Sequence, residues 1–193
     1  MAVLVTPSIS RATPPGIDAT EFLTAVAEDT YEIVAGLDFV SPILVTSVPG
    51  MEEIVWPGTP VVEIPDLSGS ALVEAAFAAL PYGRQAVLLS GDAPDLPPLL
   101  IGKLFRELGR AQVAVCPAAE GGAVAIAAHL PCPGWASVDF DDLDPIKTLR
   151  ASAPGNRMVA RGPGWHRLRA PDDIRLLDPG LEGWDNTRAL LSV

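Results

Sequence analysis

The sequence has few of the residues on which several common kinds of protein site depend. Its 193 residues include two lysines, two histidines and two cysteines. The cysteines, Cys116 and Cys132, do not form a Cys-x-x-Cys pair, so the Cys/His cluster of a zinc site is missing. We interpret both cysteines as small apolar residues of the interior. The Gly-x-Ser-x-Gly motif of many hydrolases is also absent, which argues against that class.

The chain also lacks an excess of positive charge and a long apolar run. Asp and Glu number 24 against 13 Lys and Arg, giving a net charge of −11 at pH 7. Binding to nucleic acid without sequence preference needs clustered cations and is not expected. No run reaches the roughly 18 apolar residues of a membrane span, and the start lacks the basic residues of a secretory signal. We therefore expect a cytoplasmic protein with no membrane or nucleic-acid partner.

The order of predicted elements indicates an α/β fold. The chain is 49% hydrophobic, which is enough for one well-packed domain covering residues 1–193. Short apolar runs that suit buried strands alternate with amphipathic helices, which predicts a mostly parallel mixed sheet with helices on both faces. The predicted strands are 2–6, 40–48, 61–64, 86–90, 111–116, 123–130, 158–160 and 166–169. The predicted helices begin at 19, 71, 98, 141, 171 and 184.

The stretch 86–98, Ala-Val-Leu-Leu-Ser-Gly-Asp-Ala-Pro-Asp-Leu-Pro-Pro, is the most informative in the chain. It reads as a central buried strand that ends at Ser90, followed at once by Asp92 and Asp95. Open α/β sheets bind ligands in the crevice outside the carboxyl ends of their strands. Carboxylate oxygens there suit Mg²⁺ or Mn²⁺. In the alternative interpretation Asp92 belongs to a turn and Asp95 caps the next helix.

Four segments resemble the nucleotide-diphospho-sugar transferase superfamily with the GT-A fold. They are the opening strand and loop, Ser90–Leu96 with the following Pro97, the segment 116–122 (Cys-Pro-Ala-Ala-Glu-Gly-Gly), and the segment 170–174 (Ala-Pro-Asp-Asp-Ile). The sequence is similar to the 2-phospho-lactate and molybdenum-cofactor guanylyltransferases. It is also similar to a bacterial glycosyltransferase-like group with a Gly-Ser-Asp-x-Pro-Asp-Leu pattern. The resemblance implies a Rossmann-like GT-A fold, a nucleoside triphosphate or nucleotide sugar as substrate, and a small acceptor.

The same resemblance implies roles for particular residues. Asp92 would be the metal ligand, helped by Asp95, and Arg11 would contact phosphate. The other implied sites are nucleotide binding by Ser68, Gly69, Ser70 and Gly91, and an acceptor wall formed by Glu120, Gly121 and Gly122. Each has a structural alternative: helix caps for the serines, a tight turn for the glycine pair, and a solvated loop charge for Arg11.

The first loop departs from the family pattern. Residues 6–16 contain no lysine and no glycine cluster, and Arg11 is their single cation. Without a cradle of cations and N–H groups, a leaving pyrophosphate would be poorly stabilised. Two hypotheses follow. The first is a metal-dependent transferase that moves a nucleotidyl group, for instance guanylyl, or a sugar. The second is a catalytically degenerate relative that binds nucleotide or serves in assembly, as a homodimer for example.

Overall fold

The computed structural model describes residues 1–81 and 83–192 and shows one mixed sheet of seven strands. The strand order is β3-β2-β1-β4-β6-β5-β7. Only β6 among these strands runs opposite to its neighbours β4 and β5. The strands are β1 (Ala2–Val5), β2 (Ile43–Thr46), β3 (Val61–Glu63), β4 (Gln85–Ser90), β5 (Val113–Pro117), β6 (Ala123–His129) and β7 (Val159–Arg161).

Helices cover both faces of this sheet. They are α1 (Ala19–Ala35), α2 (Gly69–Ala78), α3 (Pro98–Glu107), α4 (Pro145–Ser152) and α5 (Asp185–Leu191). The alternation of side chains along β1 explains the layering. Val3 and Val5 join the apolar cluster that holds α1 and α3. Leu4 joins the cluster on the other face, which holds α2 and α4. The predicted mostly parallel α/β sheet with helices on both faces is confirmed.

Two of the predicted elements differ in the structure. The helix predicted from 141 begins at Pro145, because Asp144 accepts a hydrogen bond from the Lys147 amide and caps the helix there. The strand predicted over 166–169 is wrong. Its amides bond to loop atoms instead of a neighbouring strand: Leu168 N donates to the Asp92 carbonyl, and Arg169 N donates to the Asp173 carboxylate. This segment therefore reaches across to the end of β4 as an irregular strap.

None of the helices in the described ranges 1–81 and 83–192 is both long enough and apolar enough to cross a membrane.

Asp29 joins α1 to the C-terminal helix. Its buried carboxylate accepts hydrogen bonds from the amides of Asn186 and Thr187, at 3.1 Å and 2.7 Å, in the first turn of α5. Burial raises the pKa of Asp29 above its ordinary value of 3.8, and these hydrogen bonds only partly oppose the shift. The charge is therefore costly to bury but fastens α5 to α1.

The raised pKa of Asp29 predicts a pH-dependent contribution to stability. The folded state binds this proton more tightly than the unfolded chain, so the contribution is fully present below the ordinary pKa and is lost as the pH rises. We expect wild type to lose stability relative to Asp29→Asn as the pH rises from the ordinary value of 3.8 through the raised pKa of the folded state. Urea unfolding of both proteins across this range measures the difference. Parallel stability curves would contradict the expectation.

Candidate functional site

A crevice opens at the carboxyl ends of β1 and β4, where the sequence predicts a ligand site. Its cavity has a volume of about 480 Å³. Leu4 and Ser90 form its floor. One wall is the turn of helix that follows β1, and the second is the start of α2. The third wall comes from residues 139–141 and from Arg167. Five separate parts of the sequence therefore meet here.

The wall after β1 carries Arg11, the cation that was predicted to contact phosphate. Residues Pro7–Ala12 form a short 3-10 helix whose Ile9 and Ala12 side chains are buried beneath it. Hydrogen bonds from hydroxyl groups stabilise it. Thr6 Oγ1 lies 2.7 Å from Ser8 Oγ, and Ser10 Oγ donates to the Pro7 carbonyl. Arg11 is exposed at its end and lines the cavity. Within the described residues its guanidinium forms no hydrogen bond or ion pair, so the charge is available to a ligand.

The opposite wall presents the N-terminus of α2. Ser68 has the extended backbone of an N-cap, yet its side chain forms no capping hydrogen bond. First-turn amides of a helix attract acceptors and negative charge because they lack partners within the helix. Gly69 has a φ of +64° and approaches the third wall, where a Cβ added to it would lie 3.9 Å from Asp139 Oδ2. Ser68 and Gly69 line the cavity.

Asp92 is bound to an arginine that the sequence reasoning did not single out. Arg167 Nε donates to both oxygens of Asp92, at 2.8 Å to Oδ1 and 3.0 Å to Oδ2, and Nη2 donates to Oδ2 at 2.8 Å. The two side chains are 6% and 4% exposed. This bidentate pair is the strongest geometry for an arginine and a carboxylate. The predicted metal ligand thus has a cation on both of its oxygens.

The remaining donors of Arg167 fix it in place. Nη1 donates to the carbonyls of Ala123 and Phe140, each at 3.2 Å, and to Asp141 Oδ1 at 2.8 Å. Burial by itself would lower the pKa of Arg167, but the neighbouring Asp92 and then Asp141 raise it above its ordinary value. Arg167 is therefore a permanent cation with a fixed orientation.

A second cavity, of about 410 Å³, adjoins the first through Ser8, Arg11, Asp141 and Arg167. Arg169 lines this second cavity but not the first. Its Nη2 donates to the Glu120 carbonyl, and its Nη1 lies 3.9 Å from Asp141 Oδ1. Since Arg11 and Arg167 line this cavity too, three guanidinium groups surround it. The two cavities together form one groove, and these three cations line it.

Asp95, the second predicted metal ligand, lies elsewhere and holds the C-terminal strap. Its fully buried carboxylate accepts hydrogen bonds from Trp165 Nε1 at 3.1 Å and from the Asp178 amide at 3.0 Å. His166 Nε2 lies 2.8 Å from Oδ1. Asp95 does not line the crevice. Its partners all belong to residues 165–178, so these contacts position that segment against the loop after β4.

Replacing Asp95 by alanine should cost about 2–3 kcal/mol of unfolding free energy, because a half-buried indole N–H and a half-buried amide lose their buried acceptor. Asp95→Asn keeps one acceptor oxygen and should lose less. Chemical denaturation followed by tryptophan fluorescence measures both. Equal stability of the alanine variant and wild type would show that water replaces these contacts.

Three of the glycines that the sequence placed at the site, Gly91, Gly121 and Gly122, support it from outside the crevice. Gly91 is packed under β1: an added Cβ would lie 2.8 Å from the Leu4 carbonyl oxygen. Gly121 and Gly122 have φ values of +88° and +91° in the turn before β6. A Cβ on Gly122 would lie 2.7 Å from the Phe140 carbonyl oxygen. The same carbonyl accepts a hydrogen bond from Arg167, so the glycine turn helps to position the arginine.

The structure brings together only part of the predicted site. Arg11, Ser68 and Gly69 line the first cavity, and Arg11 and Asp92 line the second. The side chain of Glu120 is exposed, and Glu120 contributes its carbonyl to Arg169. Residues that line neither cavity are Ser70, Gly91, Asp95, Glu120, Gly121 and Gly122.

A divalent metal does not fit the residues as they are arranged. Both oxygens of Asp92 already accept hydrogen bonds from a buried guanidinium. In the part of the chain that the structure describes, no three His, Cys, Asp or Glu side chains are grouped to hold a metal ion. Mg²⁺ and Mn²⁺ need several oxygen ligands around one point. The residues of this crevice therefore do not provide a Mg²⁺ or Mn²⁺ site as they stand.

Arg167 and Arg169 are the site residues that sequence reasoning missed. A signal exists in the segment 166–169, His-Arg-Leu-Arg, where two cations flank a buried leucine. In extended chain, residues two apart point to the same side. Their pairing with Asp92 spans 75 positions for Arg167, which no local pattern reveals.

The strand order and the crevice at the carboxyl ends of β1 and β4 define a nucleotide-diphospho-sugar transferase fold of the GT-A type. The sequence resemblance predicted this fold. No protein-family model and no curated protein matches the sequence. The evidence for the fold is structural similarity.

Several solved structures share this fold over nearly the whole chain. A Desulfovibrio desulfuricans G20 protein assigned as a nucleotide-diphospho-sugar transferase has a TM-score of 0.67 and 15% identity, covering 99% of this chain and 95% of its own. The 4-diphosphocytidyl-2C-methyl-D-erythritol synthase of Anaerococcus prevotii has a TM-score of 0.65 and 13% identity, covering 91% and 95%. Rv0371c of Mycobacterium tuberculosis H37Rv, solved as a manganese complex, has a TM-score of 0.58 and 18% identity, covering 100% and 97%.

Proposed function

We propose that this chain is a nucleotide-dependent transferase whose crevice binds the donor nucleotide. The donor is a nucleoside triphosphate or a nucleotide sugar, and the transferred group, nucleotidyl or sugar, passes to a small acceptor. The observation that carries the proposal is that Arg11, which has no ion-pair or hydrogen-bond partner among residues 1–81 and 83–192, lines the same cavity as the uncapped start of α2. The nucleotidyl and sugar transferases of this fold support the class of reaction.

The two walls suit different parts of a nucleotide. The exposed guanidinium of Arg11 and the neighbouring Arg169 attract phosphate oxygens. The uncapped amides and the Ser68 hydroxyl at the start of α2 suit the polar edges of a base or a ribose. A donor lying along the groove would place its reactive phosphorus or sugar carbon near Arg167. The attacking acceptor oxygen forms the new bond there as the bond to the leaving pyrophosphate or nucleoside diphosphate breaks, and an acceptor hydroxyl gives up its proton to solvent.

Arg11→Ala should weaken nucleotide binding by about tenfold, close to the 1.5 kcal/mol that a hydrogen bond to a charged group contributes. Calorimetric titration with GTP, CTP, UDP-glucose and GDP-mannose measures this, after a thermal-shift screen with and without Mg²⁺ or Mn²⁺. Arg157→Ala is the matched control, since Arg157 is exposed and lines neither cavity. Equal binding by both variants, or no nucleotide bound by wild type, would refute the proposed site.

A second candidate function is nucleotide binding without transfer. The contact between Asp92 and Arg167 favours it, because the carboxylate in the expected metal position is neutralised. The two functions differ in one measurement. A transferase given donor and acceptor candidates releases pyrophosphate or a nucleoside diphosphate, whereas a binding protein shifts its melting temperature and leaves the nucleotide intact.

A further inference from the structure

We propose that Arg167 is the built-in cation of this crevice, so that the site binds the diphosphate of a nucleotide sugar without a divalent metal ion. This inference rests on the proposed nucleotide-binding function and names its substrate class. Three observations carry it: the pairing of Arg167 with Asp92, the anchoring of Arg167 to two carbonyls, and the balance of charges along the groove.

Pairing with Asp92 gives Arg167 the place that a metal would take. Its Nε and Nη2 lie 2.8–3.0 Å from the Asp92 oxygens. A Mg²⁺ ion would need to lie about 2.0–2.1 Å from one of those oxygens, which would bring two cations together in a buried space. One positive group therefore excludes the other.

The anchoring of Arg167 prevents it from moving aside. To release Asp92 it would also have to leave the carbonyls of Ala123 and Phe140, which are buried against it, and Asp141. Gly122 lets that chain approach closely, since any side chain there would meet the Phe140 carbonyl. These contacts hold the Arg167 guanidinium in one position.

The charge balance selects the ligand. The groove is lined by three guanidinium groups and five carboxylates, namely Arg11, Arg167 and Arg169 with Asp66, Asp92, Asp139, Asp141 and Asp173. Without metal, a nucleoside triphosphate brings about two more negative charges into this groove than a nucleotide sugar does. Because the carboxylates are in excess, each added phosphate charge weakens binding. A nucleotide sugar is therefore the ligand class that the groove favours.

The decisive test uses wild-type protein. Titration with Mn²⁺ alone, followed by electron paramagnetic resonance, should show no bound ion that Asp92→Asn removes. GDP-mannose and UDP-glucose should bind with Kd values that agree within about twofold in EDTA and in Mn²⁺, and GTP and UTP should bind at least about tenfold more weakly in EDTA. Arg167→Gln should weaken the sugar nucleotides in EDTA by about tenfold or more, whereas Arg157→Gln should not.

Mn²⁺ bound by wild type and lost in Asp92→Asn would overturn the inference, as would nucleotide sugars that bind only with Mn²⁺. Triphosphates that bind in EDTA as tightly as nucleotide sugars would overturn the ligand class. If no nucleotide binds under either condition, the proposed function fails, and the Mn²⁺ titration still decides whether Arg167 takes the place of the metal. The nucleotide titrations and the Mn²⁺ titration of wild type need neither variant, and circular dichroism shows whether Asp92→Asn is folded before its Mn²⁺ binding is compared.

Discussion

Replacing Arg167 by alanine should destabilise the protein by about 3–5 kcal/mol, the cost of leaving one partner of a buried ion pair alone. Asp92→Ala should cost a similar amount, because the guanidinium then lies buried beside Asp141 alone. The double variant should lose less than the sum of the two, by about 0.5–3 kcal/mol, because each single change already breaks the shared contact. Urea unfolding of the four proteins gives this coupling energy directly.

An exposed carboxylate provides the control for this cycle. Asp185 faces Arg188 at 3.8 Å with its side chain 85% exposed, and Asp185→Ala should cost less than about 1 kcal/mol. If the effects of Asp92→Ala and Arg167→Ala were strictly additive, the two side chains would not act as a pair. Arg167 would then not be held at Asp92 in the place of a metal ion.

Gly122→Ala should also destabilise the protein strongly, by about 2–5 kcal/mol. Its φ of +91° costs an alanine about 1–2 kcal/mol, and a Cβ placed 2.7 Å from the Phe140 carbonyl oxygen forces a backbone shift worth about 1–3 kcal/mol more. The displaced carbonyl is a hydrogen-bond partner of Arg167, so nucleotide binding should weaken together with stability.

Gly16 separates the two contributions. It has nearly the same φ, +90°, but an added Cβ there meets nothing within 4 Å. Gly16→Ala should therefore show the backbone strain alone, about 1–2 kcal/mol. Thermal unfolding of both variants makes the comparison. Equal losses would mean that the Phe140 segment yields to the new methyl group and that the turn is not a tight seat for the arginine.

The regular elements followed from the sequence because their signals are local. The strand 86–90 was predicted from five apolar or small residues in a row, and the structure places a strand at Gln85–Ser90. The helix predicted to begin at 19 is α1, and the Asp18 carboxylate in front of it accepts from the amides of Thr20 and Glu21. Such patterns depend on neighbours within a few positions, so one sequence is enough to read them.

The last third of the chain was harder to predict, because its contacts are made with residues that are distant in the sequence. The segment 166–169 alternates cation and apolar residue, as a strand does, but its amides donate to the Asp92 carbonyl after β4 and to the Asp173 carboxylate. The sequence predicted Asp95 as a metal ligand or a cap. The structure buries its carboxylate among Trp165, His166 and the Asp178 amide.

The sequence by itself determined the alternation of strands and helices, the resemblance to this transferase fold and the position of Asp92 at the end of the middle strand. Only the tertiary structure decided what Asp92 touches. Its partner Arg167 lies 75 positions away along the chain, and a bidentate contact over that distance depends on how the sheet, the glycine turn and the C-terminal strap pack together. Local patterns carry no information about such packing, so the chemistry of the crevice is a property of the fold.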